Sequence, residues 1–381
     1  MSDSNFEDCK RCILNESIPG FYIRNNGECS FCKLHDDLEK EYPISKNNKF
    51  FKSLIEKIKT SGKNKKYDCV VGVSGGTDSS YTLLMAKKLG LRPLAVHFDN
   101  GWNTELSVSN IYNLLEALDV DLETYVVDWE EFKDIQLSFL KASVPDAEQP
   151  TDLGIVSALY RIASKNKIKY ILNGVSFRTE GNMPIGWGYV DGRYIKNIHK
   201  IFGQYEMKTY PNFTLFDSIY FIIFKRIKLI RFLNYINYSK QEAAKILKRD
   251  VNWRHPGGHH HESIYTRFYQ GYLSPVKYKM DRRLISLSAQ IRSNHISKKQ
   301  AIELISNTDY NDSQINDDKE FITKKFSLNN HEMEKILKLK NKTFKDYKSY
   351  YPFLKRIRYV IKLLSRLKIL PILYHDDKYK N

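Results

Sequence analysis

Ser74-Gly75-Gly76-Thr77-Asp78-Ser79-Ser80 gathers two glycines, four hydroxyls and one acid into a single short run. An anion is the ligand that such a run suits. Gly75 and Gly76 let backbone N–H groups approach it with no Cβ in the way. Ser74, Thr77, Ser79 and Ser80 add hydroxyl donors. Asp78 is acidic and does not bind phosphate directly, so the implied chemistry is a Mg²⁺ between its carboxylate and the phosphate. The flanks say what must position the run. Cys69 to Val73 is apolar and reads as a strand, and Leu83-Leu84-Met85-Ala86 lies in the helix that follows. That helix turns its orphan N–H groups and positive dipole end toward the same anion. No Lys follows the glycines, so this is not a G-x-x-x-x-G-K-[ST] loop, nor is it G-x-G-x-x-G. A plain Gly-Gly turn with a Ser/Asp cap is the simpler reading, but strand, turn and helix all agree with phosphate.

Four of five cysteines form a second constellation: Cys9-x-x-Cys12 and Cys29-x-x-Cys32, with residues 13–28 between the pairs. The spacing suits a four-thiolate zinc site. Gly27 and Pro19-Gly20 fit a small loop-rich ribbon around the metal. Four thiolates fill a tetrahedral shell, so such a zinc is structural rather than catalytic. Two disulfides are the alternative, but the polar, acidic start of the chain has no secretion-signal pattern. Cys69, inside the strand, reads as a buried and inert thiol. The net charge of +17 reflects either a Lys/Asn/Ile bias or attraction to phosphates, nucleic acid or an anionic membrane; charge alone does not choose. No apolar run reaches the roughly eighteen residues of a membrane span.

Strands are predicted at 68–73, 94–98, 122–127 and 170–173. Helices are predicted at 50–58, 79–89, 105–118, 129–141 and 153–166. This alternation implies right-handed crossovers and an α/β, doubly wound parallel sheet. Ligands bind beyond the C-terminal strand ends of such sheets, so 74–79, 99–102 and 174–180 should share one crevice. Further helices are expected at 238–249 with Ser239 as cap, 281–293, 298–306, and a basic amphipathic 353–370. A second chemically dense stretch starts at Gly257-Gly258-His259-His260-His261-Glu262-Ser263. Its histidines suit a metal or a polar loop that binds phosphate or sugar, and they lack the i, i+4 spacing of H-E-x-x-H. Lys277, Lys279, Asp281, Arg282 and Arg283 follow; their forks suit a nucleotide phosphate or a sugar carboxylate, or they form a solvated basic face.

The Ser-Gly-Gly-x-Asp-Ser loop resembles the PP-loop of the ATP pyrophosphatases, which split ATP between the α- and β-phosphates. The whole order resembles the N-acetyl sugar amidotransferases of bacterial surface-polysaccharide biosynthesis. The resemblance rests on Cys9-Lys10-Arg11-Cys12, Gly27-Glu28-Cys29-Ser30-Phe31-Cys32, Val73 to Ser79, His97-Phe98-Asp99-Asn100-Gly101-Trp102-Asn103 and Asn173-Gly174. It continues through Gly257-Gly258, His260-His261-Glu262-Ser263, Arg267-Phe268-Tyr269-Gln270-Gly271 and Asp281-Arg282-Arg283. It spans residues 9–305.

The resemblance implies a PP-loop α/β domain over 60–205, after a zinc ribbon over 1–45. A substrate-binding helical part over 206–310 and a helical basic tail over 311–381 complete it. It implies ATP and Mg²⁺ on Ser74, Gly75, Gly76, Thr77, Asp78, Ser79, Asp99, Asn173 and Gly174. Ser74, Asp78, Lys277 and Arg283 act in catalysis, and His260, His261, Glu262 and Arg267 hold a nucleotide- or lipid-linked N-acetyl sugar. Structural Zn²⁺ sits on Cys9, Cys12, Cys29 and Cys32. ATP adenylylates the acetamido oxygen, ammonia displaces AMP, and an acetamidino group results. The ammonia comes from a glutaminase like that of imidazole glycerol phosphate synthase, with a cyclase-like protein as further partner.

A tRNA thiolase is the rival enzyme, against which stands the lack of any cysteine after Cys69. A zinc-ribbon nucleic-acid binder with a vestigial loop is the non-enzymatic rival, against which stands the intact loop. The expected place is the cytoplasm. The helix at 354–370 either packs on its own domain or lies on the anionic inner face of the plasma membrane.

Overall fold

The computed structural model describes residues 9–44, 48–258, 261–307, 310–360 and 363. In chain order it begins with α1 (Ser30–Glu41) and α2 (Lys49–Ser61). The α/β layers follow: β1 (Cys69–Gly72), α3 (Thr77–Lys88), β2 (Pro93–Asp99), α4 (Glu105–Leu118), β3 (Leu122–Val126), α5 (Trp129–Ala142), α6 (Gln149–Lys165) and β4 (Tyr170–Asn173). Next come α7 (Gly192–Phe202), α8 (Leu215–Ser218), β5 (Lys228–Arg231), α9 (Lys240–Val251), α10 (Ile264–Phe268), α11 (Ser274–Tyr278) and α12 (Arg283–Arg292). The last are α13 (Lys298–Ser306), α14 (Asp312–Lys325), α15 (Asn330–Leu337) and α16 (Tyr351–Arg356).

The five strands pair in parallel in the order β3-β2-β1-β4-β5. Alternate residues serve opposite faces, as the period of two requires. Cys69, Val71, Ala95 and Leu172 pack among α2, α3, α4 and α9. Val70, Leu94, Val96 and Ile171 pack on α6. The sheet is thus doubly wound, as expected. A third apolar mass joins α5, α7, α10, α14 and α15 around Phe132, Phe139, Tyr194, Tyr269 and Phe326.

The first four strands lie where the sequence predicts. β5 does not appear in that reading, and it carries the sheet beyond residue 205. Its Lys-Leu-Ile-Arg sequence has cations at both ends, so the two-residue apolar middle gives no strand signal. Pairing with β4, from Tyr170↔Lys228 to Asn173↔Arg231, makes it an edge strand, and charged side chains are at home there. α6 starts at Gln149, before the expected 153, and takes Pro150 into its first turn, where the missing N–H costs nothing. The expected helix at 353–370 is seen as α16, and most of the remainder falls outside the described residues.

Candidate functional site

β1 ends at Gly72 and α3 begins at Thr77, leaving Val73 to Gly76 as the turn between them. Gly75 has φ +79°, and a Cβ there would lie 2.4 Å from the Ser107 carbonyl oxygen, so only glycine fits. The turn is fixed from behind. The Trp253 indole N–H donates to the Gly75 carbonyl at 2.8 Å, and the Asn110 amide donates to it at 3.2 Å. With that oxygen held inside the protein, Gly76 N–H turns to the loop's own Ser74 Oγ at 3.4 Å. Ser79 Oγ lies 3.2 Å from both Ser74 N and Ser74 Oγ, so the hydroxyls form one cluster. At the end of β4, a Cβ on Gly174 would sit 2.9 Å from the Asp78 carbonyl oxygen. β4 therefore closes directly on the first turn of α3. Asn173 Oδ1 accepts from Val175 N–H at 2.6 Å and so closes the turn that follows β4.

Asp78 is less solitary than the loop sequence suggests. One carboxylate oxygen accepts from the Tyr238 hydroxyl. The other lies 3.3 Å from Lys240 Nζ, which also reaches Glu180 at 3.9 Å. Burial would push the Asp78 carboxyl up. The Lys240 charge, a hydrogen bond shared with Glu180 and the Tyr238 hydroxyl outweigh it and hold the carboxyl below its ordinary range. Burial likewise opposes the Lys240 charge, but Asp78, Glu180 and, more weakly, Glu262 raise its pKa. Tyr238 is driven well above 10 by burial and by Asp78, so it stays a donor. Glu262 stands over the loop: a Cβ on Gly76 would lie 3.0 Å from its Oε1. Its backbone oxygen accepts from Thr104 N–H at 3.0 Å, and Asn103 bridges to Ser263, which pins the dense segment onto the end of β2.

Asp99 reaches this crevice through a relay. Asn103 Nδ2 donates to Asp99 at 3.1 Å and to His97 Nε2 at 3.1 Å, and His97 Nδ1 donates to the Val73 carbonyl at 2.9 Å. A cavity of about 220 Å³ lies beside Asp99, lined by Trp129, Val126 and Lys325 among others. The expected crevice residues thus meet at the strand ends. Lys240 and Tyr238 join them unannounced. The clue to Lys240 is a cation in the first turn of α9, where the helix dipole disfavours it.

The other expected residues are engaged elsewhere. Lys277 donates to the carbonyls of Leu337 and Leu339, both at 2.8 Å, and so closes the C-terminus of α15. Arg283 forks onto Asp281 and reaches the Ile305 carbonyl. Arg267 makes two 2.7 Å bonds to Asp318, whose Oδ2 also accepts from the Tyr310 hydroxyl. His261 stacks edge-on against Tyr310, so it belongs to that cluster. His260 lies outside the described residues.

The four ribbon cysteines are fully buried. Their Sγ atoms stand 3.7 Å apart for Cys9–Cys32 and Cys12–Cys29, 3.6 Å for Cys29–Cys32 and 3.8 Å for Cys12–Cys32. Zn–S bonds of about 2.3 Å in a tetrahedron put sulfurs about 3.8 Å apart, so this cage fits zinc. Cys29 N–H points at Cys9 Sγ at 3.3 Å, and Arg292 lies 3.5 Å from Cys12 Sγ; both offset the surplus negative charge of four thiolates. No other group of three or more ligand side chains converges in this way among the described residues. No helix among them is long and apolar enough to cross a membrane.

Comparison with known proteins agrees with the geometry. The family model for queuosine biosynthesis protein QueC matches residues 68–213. The model for the C-terminal domain of WbpG-like LPS biosynthesis proteins matches residues 262–361. An uncharacterised protein of Methanocaldococcus jannaschii is 24% identical over 271 residues, covering 68% of this chain and 80% of its own. A 7-cyano-7-deazaguanine synthase of Nitratiruptor sp. is 41% identical over 71 residues, 19% of this chain and 32% of its own. Among solved structures, an NMN synthetase from Francisella tularensis aligns over 77% of this chain and 97% of its own, at 12% identity and a TM-score of 0.33, too low to weigh on the fold. The chain is thus similar to QueC over its α/β part, residues 68–213, and to the C-terminal domain of WbpG-like proteins over residues 262–361.

Proposed function

We propose that this protein is an ATP-dependent amidotransferase that converts the acetamido group of an N-acetyl sugar into an acetamidino group during surface-glycan assembly. The observation that carries this reading is the WbpG-like domain, from an LPS biosynthesis family, pinned by Thr104 and Asn103 against the nucleotide loop. In this reading the amide oxygen attacks the α-phosphorus of ATP and pyrophosphate leaves. Ammonia then adds to the activated carbon, the C–O bond to AMP breaks, and a proton is lost to give the amidine. An amide oxygen leaves poorly by itself; carried on phosphate it leaves well.

The loop N–H groups and the Ser74, Thr77 and Ser79 hydroxyls would hold the phosphates. A Mg²⁺ held by Asp78 would neutralise charge on the departing pyrophosphate. Tyr238 and Lys240 keep Asp78 oriented and ionised, and Glu262 faces the loop from the sugar side. Ammonia would come from a partner glutaminase. Among the described residues no cysteine suits that role: Cys69 is wholly buried with its thiol pKa raised, and the other four form the metal cage.

A second reading, modification of tRNA, draws on the QueC match over 68–213. Incubation with UDP-N-acetyl sugars, tRNA, ATP, Mg²⁺ and ammonium separates the two. The amidotransferase gives a sugar lighter by the difference between O and NH, together with AMP. Modified tRNA with no change in any sugar would establish the second reading instead.

A further inference from the structure

The chain after Phe213 makes a short helical ridge: α8 runs into widened, π-type turns over Ile219–Phe224. One side is well anchored. Phe221 is buried, stacks on Phe213 at 6.0 Å and meets Tyr160 at 5.8 Å. Thr214 and Asp217 form a capping box at its start. The other side is apolar and open to solvent. Phe216 is 80% exposed, Phe224 73%, Ile223 50%, Tyr220 47% and Ile219 38%. These five residues recur at i, i+3, i+4, i+7 and i+8, which makes a continuous stripe. An ordered helix rarely leaves five large apolar side chains in water unless something covers them.

The end of the ridge is crowded with cations. Lys169 donates to the Lys225 carbonyl at 2.6 Å, and Lys65 donates to the Lys167 carbonyl at 2.9 Å. Burial, together with Lys65, Lys225 and Arg226, lowers the Lys169 pKa, so these charges feel one another. Lys225 lies 5.2 Å over the Tyr220 ring. The nearest acid on the ridge, Asp217, is taken up by Thr214 and lies 3.8 Å from Arg161. The molecule continues this character beside the ridge. Asn212 donates to the Gly192 carbonyl, and Tyr350 N–H donates to Asp191. One turn thus joins the foot of the ridge to α16, where Phe353 is exposed and Lys355 and Arg356 lie in the last turn; Tyr359 and Val360, beyond α16, are exposed as well.

We infer that the ridge from Phe216 to Phe224 seats the protein on an anionic lipid surface, with Phe216, Ile223 and Phe224 in the acyl boundary and Lys225 and Arg226 at the headgroups. A nucleic acid would use the cations and leave the apolar stripe wet. A protein partner could also cover an apolar stripe, but Lys225 and Arg226 at its end favour an anionic surface. An apolar face edged by Lys and Arg is the pattern of an interfacial helix, and each cation near such a surface adds to its hold.

The test uses the full chain with vesicles of phosphatidylcholine, alone or with phosphatidylglycerol. The expected result is sedimentation with the mixed vesicles at low salt, little with the neutral ones, and release as salt rises. The variants F216S/F224S and K225E/R226E should each weaken it by about tenfold or more. AMP formation should stay unchanged in both, because these side chains stand outside the crevice. Failure of the native chain to sediment, or sedimentation of both variants like the native chain, overturns the proposal. So does loss of binding to a glutaminase partner in the ridge variants with no lipid effect, which would assign the ridge to a protein.

Discussion

The glycine loop and the stretch from Lys277 to Arg283 are similarly rich in groups able to handle phosphate, yet the protein treats them in opposite ways. Around the loop, the Gly75 carbonyl is held by Trp253 and Asn110, and the loop's own N–H groups and hydroxyls are bonded only within the loop. In the second stretch the donors face in: Lys277 closes α15, and Arg283 serves Asp281 and the end of α13. A cation with three protein acceptors already in place has little left for a ligand. The difference lies in where the acceptors are, which residue type alone does not reveal.

The largest effect that would separate the two regions is expected at Asp78. Asp78→Asn should lower AMP formation by about a thousandfold, the scale of losing one preorganised electrostatic group. Its melting temperature should fall by a smaller margin, because Lys240 keeps Glu180 when it loses the Asp78 charge and the amide still accepts from Tyr238. Near-native turnover would place the metal elsewhere.

Lys240→Met comes next, with about a hundredfold loss and a distinctive pH dependence. The Asp78 carboxyl is held below its ordinary value and the Lys240 ammonium above its own. The pair therefore stabilises the fold above the unfolded carboxyl value of about 4 and below the unfolded lysine value of about 10. Its contribution fades as pH falls through the lower folded carboxyl value, or rises through the higher folded lysine value. Without Lys240 the acid limb of the rate profile should move to higher pH. An unmoved limb would mean that Lys240 does not govern Asp78.

Arg267→Ala should act on stability first. It strips a buried Asp318 of two bonds, at a cost of about 3 kcal/mol by denaturant melting. Lys277→Met is the mildest, about 1 kcal/mol, with AMP formation unchanged. If turnover collapsed in Lys277→Met while the melt stayed native, the contrast between the two regions would fail.

Much of the sheet was legible because local signals repeat within each unit. β1, β2 and β4 are apolar runs bounded by glycine, proline or asparagine, β3 alternates between Asp121 and Asp128, and the loop, the ribbon and most helices carry their own markers. β5 was not, since a four-residue edge strand with charged ends becomes a strand only through β4. Lys240 and Tyr238 were hidden for a similar reason. Tyr238 meets Asp78 across 160 positions of chain, and no spacing rule reaches so far. Lys277, Arg267 and Arg283 show the reverse case. Their fork chemistry was evident, but the carbonyls and the carboxylate of Asp318 that use it come from 22 to 62 residues away.

The ribbon has a reach that its closed metal shell conceals. α1 starts at the second cysteine pair, and its far end offers Glu39, which grips Arg178 through two bonds of 2.7 and 2.6 Å, with the Tyr42 carbonyl assisting. Arg178 stands two positions before Glu180, the acid facing Lys240. Cysteine cage, helix, guanidinium and carboxylate form one linkage from the ribbon to the crevice around Asp78. With zinc in the cage, a chelator or a thiol oxidant acting on the cysteines would slacken the strap after β4, and the crevice would feel a change made at the far end of α1.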